Sequence, residues 1–243
     1  MLGIGNSLIS GSAAGLFMNY SLSFDGSNDM LTLADSLNLG TADFSWSFWI
    51  NSPIDNSGYA YIISKKQDNN NNNFIAINSS KKITIQFRGG GNTPTFTSGA
   101  SSLAPLANTW IHVCVSADRD GNIGVYINGT TDTYGLALTS MSNSSQTLTN
   151  TANWAFSSID SSGWGSGIEM FMTDVAFFNA ALSAAEVTAI YNNGVPGDLL
   201  GHSQSSALTA YWRFNENTGT TVADEIGSND LTIDGATWST NVP

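Results

Sequence analysis

The sequence predicts an all-β fold, a two-sheet antiparallel jelly-roll sandwich with one short helix. Short apolar runs alternate with polar residues along most of the 243 positions, which is the pattern of half-buried strands. Gly, Asn and Asp separate these runs and favour the tight turns of antiparallel sheets. Only 11% of the residues are charged, so Ser, Thr, Asn and Gly must form much of the surface, and such a surface suits strands and turns better than helices.

The strand signals follow one another along the chain. Phe44, Trp46, Phe48 and Ile50 fall on one face of an alternating run, and residues 83–87 and 110–117 alternate in the same way. Asp120-Gly121 and Asn128-Gly129 each predict a hairpin turn. Two further strands are predicted at 168–178 and 208–214, and the run Asn69–Asn73 predicts a solvated hairpin loop.

One stretch, NAALSAAEVTAIYNNG at residues 179–194, has a clear helical signature. Ser183 and Glu186 have the spacing of a capping box, and Asn193-Gly194 provides the stop. A helix of about two and a half turns is not stable alone. We therefore expect it to pack on the edge or end of the sandwich in a structural role.

Charge and cysteine content exclude several classes of protein. The chain has 7 Lys and Arg against 19 Asp and Glu, a net charge of −12, and so lacks the basic stripe that nucleic acids require. Cys114 is the single cysteine, so neither a disulfide framework nor a Cys/His zinc site is possible. No apolar run reaches the ~18 residues of a membrane span.

Four segments resemble laminin-G-like, concanavalin A-like lectin/glucanase jelly-roll domains. SLSFDGSNDMLTL (21–33) resembles the opening F-D-G strand, and TADFSWSFWIN (41–51) resembles the F-[ST]-x-[ST]-x-W strand. NTWIHVCVSADRDGNIGVYINGT (108–130) resembles the W-x-H strand with its hairpin. MTDVAFFNAALSAAEVTAIYNNG (172–194) resembles the closing strand and short helix. The resemblance spans residues 20–194 and implies the same sandwich.

The C-terminal segment predicts how the domain closes. LTAYWRFNENTG, from residue 208, resembles a segment that usually precedes the F-D-G strand in this family. We therefore expect an N-terminal arm (1–18) and a single circularly permuted domain (19–243), in which 207–243 pairs with 20–33. A second, truncated domain is the alternative, although about 36 residues cannot form a sandwich core of their own.

A calcium site is one expectation. Asp25, Asn28 and Asp29 offer oxygen ligands within one loop, and the resemblance implies that Asp174 faces it. The family's I-D-[DE] reads Met172-Thr173-Asp174 here, so one carboxylate is missing. An Asx turn at Asp25 is the alternative explanation of the loop.

A glycan site is the second expectation. Trp164, Trp154 and Tyr59 stand in polar loop contexts and are candidate sugar-binding residues. A loop Trp that folds over the end of the sandwich is the alternative. No catalytic group is predicted, because the four glutamates form no paired run and Asp118 and Asp120 suit a turn.

The resemblance is strongest to bacteriophage structural proteins of this architecture. It implies a non-enzymatic virion surface protein, namely a capsid decoration protein, head fibre or tail adhesin, that binds host glycans. The apolar arm 1–18 would dock on virion proteins or a second copy, or would pack along its own domain. The alternatives are a secreted, extracellular carbohydrate-binding module of a bacterium and, less favoured, a glycan hydrolase.

Overall fold

The computed structural model describes residues 18–90, 95–97, 102–132, 138–140, 147–159 and 167–243, with the backbone alone at 95–97 and 138–140. The strands are β1 Ser21–Asp25, β2 Met30–Leu33, β3 Phe44–Asn51, β4 Ala60–Lys66, β5 Asn72–Ile77, β6 Ile83–Arg88, β7 Thr95–Thr97, β8 Trp110–Ala117, β9 Asn122–Ile127, β10 Thr130–Thr131, β11 Leu138–Ser140, β12 Trp154–Phe156, β13 Glu169–Phe178, β14 Leu208–Trp212, β15 Thr221–Val222, β16 Leu231–Asp234 and β17 Thr237–Ser239. The helix α1 spans Ala184–Tyr191, and short 3-10 turns occupy Ala104–Leu106, Asn192–Gly194, Leu199–Gly201 and Ser205–Ala207.

The strands form two antiparallel sheets, as the sequence predicts. Sheet A has the order β10-β9-β8-β3-β13-β1-β17, with β11 on β9 and β14 on β13. Sheet B has the order β15-β16-β2-β12-β4-β5-β6-β7. The helix is the single α-helix of the described residues, so the predicted fold class is confirmed.

Aromatic side chains fill the core between the sheets. The predicted inward face of β3 is confirmed, since Phe44, Trp46, Phe48 and Ile50 are all buried in it. The ring of Trp46 lies 5.1 Å from that of Trp154 on the opposite sheet. Alternation along strands that are half covered by a second sheet accounts for this arrangement.

The C-terminal segment lies within both sheets. Trp238 of β17 pairs with Leu22 of β1, and Ile233 of β16 pairs with Leu31 of β2. Trp212 of β14 stacks on Trp46 at 6.3 Å. The last strands of the chain therefore complete the sandwich around its first strands.

Helix α1 covers part of the outer face of sheet A. Its capping box is present, because Oγ of Ser183 accepts from the amide of Glu186 and the Glu186 side chain accepts from the amide of Ser183. Val187 and Ile190 of the helix are buried in a second apolar cluster, which includes Phe178 of β13. The sequence predicted that the helix packs on the edge or end of the sandwich, whereas it packs on the outer face of sheet A.

The loop predicted at Asn69–Asn73 is shorter than expected. Asn72 and Asn73 belong to β5, where Asn73 pairs with Lys65. The Nδ2 atom of Asn73 donates to the carbonyl oxygen of Leu148 at 3.0 Å, and this bond satisfies a polar side chain inside the sheet.

The predicted N-terminal arm falls almost wholly outside the described residues, which begin at Met18. Among the helices that the structure describes, none has the length and apolarity to cross a bilayer.

Candidate functional site

The outer face of sheet A is open beyond the helix. Tyr191, the last residue of α1, stacks on Trp49 of β3 at 5.7 Å between ring centroids. Two residues further along the strands, Ser23, Phe171 and Asn51 form one row across β1, β13 and β3. Because alternate residues of a strand share a face, these three side chains lie on the same outer face as Trp49.

This open region forms a groove of about 400 Å³. Besides the row just described, it is lined by Asp25 and Glu169 at the strand ends, by Pro53 and Asn108 of two adjoining loops, and by Phe24 and Met170 at its floor. The loop of Asn108 is fixed to the end of β3, because the Asn108 amide donates to the carbonyl oxygen of Ser52 at 2.8 Å. The volume lies in the range of small-ligand sites.

The groove presents polar groups that the protein leaves unpaired. The side chains of Asn51, Asn108 and Glu169 make no hydrogen bond to the described residues. Asp25 and Glu169 are both exposed and are direct cross-strand partners. Like charges in that position destabilise a sheet, and both carboxylates can accept hydrogen bonds.

A smaller cavity of about 240 Å³ continues the groove. It shares Asp25 and Glu169 with the larger one and adds Asp55, Asn56 and Gly167. The chain described after residue 159 resumes at Gly167. Carboxylate and amide groups therefore line both cavities.

The four predicted calcium ligands do not come together. Oδ2 of Asp29 accepts from the Asp25 amide at 2.9 Å, and Oδ1 of Asp25 accepts from the Ser27 amide at 2.8 Å, which is the geometry of the alternative Asx turn. Asn28 is exposed. Among the described residues, no group of three or more His, Cys, Asp or Glu could hold a metal ion. Calcium at this loop stays a prediction.

Asp174 lies away from that loop, and the expectation that it faces the loop is wrong. Asp25 pairs with Glu169 in β13, five positions before Asp174. Asp174 sits at an irregularity in the β13–β3 register with φ 52°, and its Oδ1 accepts from the Tyr211 hydroxyl at 2.6 Å. Burial raises the pKa of this carboxyl to about 7.

The predicted aromatic ligands have different outcomes. Trp154 lies in β12 with 1% of its surface exposed, so its placement in an exposed loop is wrong. Its sequence neighbours NWAF supply alternation that fits a short core strand. Trp164 lies outside the described residues. Tyr59 is 46% exposed and stacks on Tyr61 at 6.2 Å, at the end of the loop that starts beside the groove.

The buried pair of Ser47 and His112 has no access to substrate. Ser47 Oγ and His112 Nε2 are 2.8 Å apart, both residues are buried, and the His112 ring lies 6.0 Å from that of Tyr191 in α1. Burial lowers the pKa of His112 to about 3. The pair therefore packs as a neutral structural contact, because a nucleophile and its base must reach a reacting atom.

Sequence reasoning missed most of the groove. Asn51 is an outward-facing position of a strand whose inward face was predicted, and Glu169 and Phe171 lie in a predicted strand whose faces were not assigned. Their signal was the alternation itself, since an outward Phe beside an outward Glu in IEMF has no core to enter. Asn108 carries no such signal, because only the fold brings its loop beside β3.

The fold and groove define a lectin-like jelly-roll domain. Residues 25–188 match the concanavalin A-like lectin/glucanases superfamily. The chain therefore belongs to this superfamily. No curated protein sequence matches it.

Several solved structures share the fold at low sequence identity. A protein of Bacteroides ovatus ATCC 8483, provisionally assigned as carbohydrate binding, has a TM-score of 0.63 at 17% identity, over 92% of this chain and 60% of its own. A heptameric SAP-like pentraxin of Limulus polyphemus has a TM-score of 0.54 at 14% identity, over 89% and 94%. Domain 4 of AbnA, a GH43 extracellular arabinanase of Geobacillus stearothermophilus solved with arabinotriose, has a TM-score of 0.51 at 17% identity, over 70% and 76%. The chain thus spans less than two thirds of the Bacteroides protein.

Proposed function

We propose that this protein is a non-enzymatic glycan-binding protein and that the groove on the outer face of sheet A holds the sugar. The observation that carries the proposal is the set of unpaired polar side chains, Asn51, Asn108 and Glu169, beside the half-buried ring of Phe171.

The chemistry of these groups suits a sugar. Carboxylates accept hydrogen bonds, and an amide both donates and accepts, so the set can pair with hydroxyl groups in either role. An aromatic ring supplies an apolar surface for the C–H face of a pyranose. The relatives named above support the proposal, since one was solved with arabinotriose.

The first prediction is that Phe171→Ala weakens glycan binding by roughly tenfold, the loss expected when an aromatic contact worth about 1.5 kcal/mol is removed. A glycan array identifies a ligand, and calorimetry measures its affinity for the wild type and the variant. Thermal unfolding of the variant checks that the fold is intact.

Tyr59→Ala is the matched control, because Tyr59 is an exposed aromatic residue outside the groove. Affinity that survives Tyr59→Ala and falls with Phe171→Ala supports the groove. The reverse pattern contradicts the groove and supports the aromatic site first expected at Tyr59.

We further propose that the protein works on the surface of a bacteriophage virion. The resemblance of its sequence to phage structural proteins of this architecture supports that context, as does the apolar composition of residues 1–18. Mass spectrometry of purified particles tests it. A secreted form found without particles would favour the extracellular bacterial module instead.

One observation favours a second candidate, glycan hydrolysis. Asp25 and Glu169 are direct partners on adjacent strands, and retaining glycosidases use two carboxyl groups about 5 Å apart. Both side chains are exposed, whereas a general acid is usually set in an apolar surrounding. Turnover of a bound oligosaccharide that disappears in Glu169→Gln would favour the hydrolase.

A further inference from the structure

The charged side chains of the groove all carry the same sign. Asp25 and Glu169 line both cavities, and Asp55 lines the smaller one. Asp25 and Asp234 both act electrostatically on Asp29, so the carboxylates of Asp29 and Asp234 add to the negative charge near Asp25. A bound ligand would therefore meet a negative potential.

No basic residue is among those that line the groove or the smaller cavity. All seven Lys and Arg of the chain lie within the described ranges, at Lys65, Lys66, Lys81, Lys82, Arg88, Arg119 and Arg213. None of them lines either cavity. Lys81 Nζ donates to the backbone carbonyl oxygen of Asn56, a residue that lines the smaller cavity but not the larger one.

The basic residues have other neighbours in the fold. Lys65 pairs with Asp35 at 2.7 Å. The Nη1 atom of Arg119 donates to the carbonyl oxygen of Gly40, and Arg213 acts electrostatically on Asp174. Neither histidine lines the groove, because His112 is buried and His202 lies beyond the helix.

We infer that the groove selects uncharged glycans and rejects glycans that carry sialic or uronic acid, with Asp25 and Glu169 as the residues that set this selectivity. The inference rests on the proposed function and narrows it. The two carboxylates accept hydrogen bonds from neutral hydroxyl groups but repel a carboxylate brought into the same space, and this repulsion costs more where water is partly excluded.

The experiment compares neutral glycans with the same glycans bearing sialic or uronic acid, on one array. At about 20 mM NaCl, we expect the acidic form of each bound glycan to bind at least roughly tenfold more weakly than its neutral parent. At about 500 mM NaCl, this difference in affinity between acidic and neutral glycans, here called the gap, should narrow because salt screens exposed charges. The double variant Asp25→Asn with Glu169→Gln keeps the shape of the groove and should narrow the gap even at low salt.

A double variant of Asp120→Asn with Glu225→Gln is the matched control. Both residues are exposed and neither lines the groove, so it removes the same two charges from the molecule elsewhere. We expect it to keep the wild-type discrimination. If it narrows the gap as much as the groove variant does, net charge rather than the groove sets the selectivity.

Two further outcomes are distinct. Acidic glycans that bind the wild type as tightly as their neutral parents overturn the selectivity while the glycan-binding function stands. Absence of binding to every glycan, neutral or acidic and at either salt concentration, contradicts the proposed function itself and the selectivity with it.

Discussion

Asp174 and His112 are buried titratable residues with opposite effects on stability. Burial raises the pKa of Asp174 from 3.8 to about 7. Protonation of Asp174 therefore stabilises the folded state. This stabilisation is complete below the unfolded-state pKa and is lost as the pH rises through the folded-state pKa. Burial lowers the pKa of His112 from 6.5 to about 3. The contribution of His112 to stability is therefore complete above pH 6.5 and is lost as the pH falls. Between the two unfolded-state pKa values, the opposite pH dependences of Asp174 and His112 nearly cancel.

The substitution Asp174→Asn removes the titrating carboxyl and keeps an acceptor for the Tyr211 hydroxyl. The variant loses the contribution of Asp174 to stability, which falls with increasing pH, and retains that of His112, which rises with increasing pH. Its free energy of unfolding should therefore gain on the wild type by about 1.4 kcal/mol per pH unit between about pH 4.5 and 6.5. Urea unfolding at three pH values measures this difference. A difference that does not change with pH would show that Asp174 does not titrate as described.

Among the elements, the helix shows what local sequence can and cannot predict. Ser183 and Glu186 set the start of α1 through bonds within four residues, so the capping box was visible in the sequence. The surface that α1 covers depends on long-range contacts, such as the bond from Thr188 Oγ1 to the carbonyl oxygen of Gly129 at 2.8 Å. A Cβ at Gly129 would lie 2.7 Å from the Tyr191 ring, so this turn needs glycine for close approach as well as for its φ of 71°.

Loss of the α1 cap should destabilise the protein. Ser183→Ala removes the side chain that accepts from the Glu186 amide and should lower the free energy of unfolding by about 1 kcal/mol. Chemical denaturation measures it. Ser79→Ala, at an exposed position in the β5–β6 turn, is the control and should change little. Equal effects from the two substitutions would argue against a working cap.

For the whole molecule, alternation and turn residues predicted the class of fold, and the resemblance placed the C-terminal strands beside the first. Trp154 was misplaced because a three-residue strand between polar neighbours looks like a loop until β2 and β4 pair with it. The groove could be predicted only in part. Asp25 and Glu169 are 144 positions apart in sequence, and only the pairing of β1 with β13 makes them neighbours.

Removal of residues 207–243 should abolish cooperative folding. The deletion takes away β14, β16 and β17, which pair with β13, β2 and β1, together with Trp212 of the core. The fragment 1–206 should show no cooperative thermal transition, because both sheets lose paired strands at once and β1 and β2 become exposed edges. A cooperative, well-folded fragment would mean that the C-terminal segment is dispensable and is not part of the domain.

We propose that the groove on sheet A binds a glycan. Backbone NMR of the protein, titrated with an oligosaccharide selected on the array, tests it most directly. We predict shift changes that saturate with ligand and that cluster at Ser23, Asn51, Asn108, Glu169 and Phe171. Saturating changes that cluster instead around Tyr59, in the loop before β4, with the groove signals unmoved, would contradict this proposal.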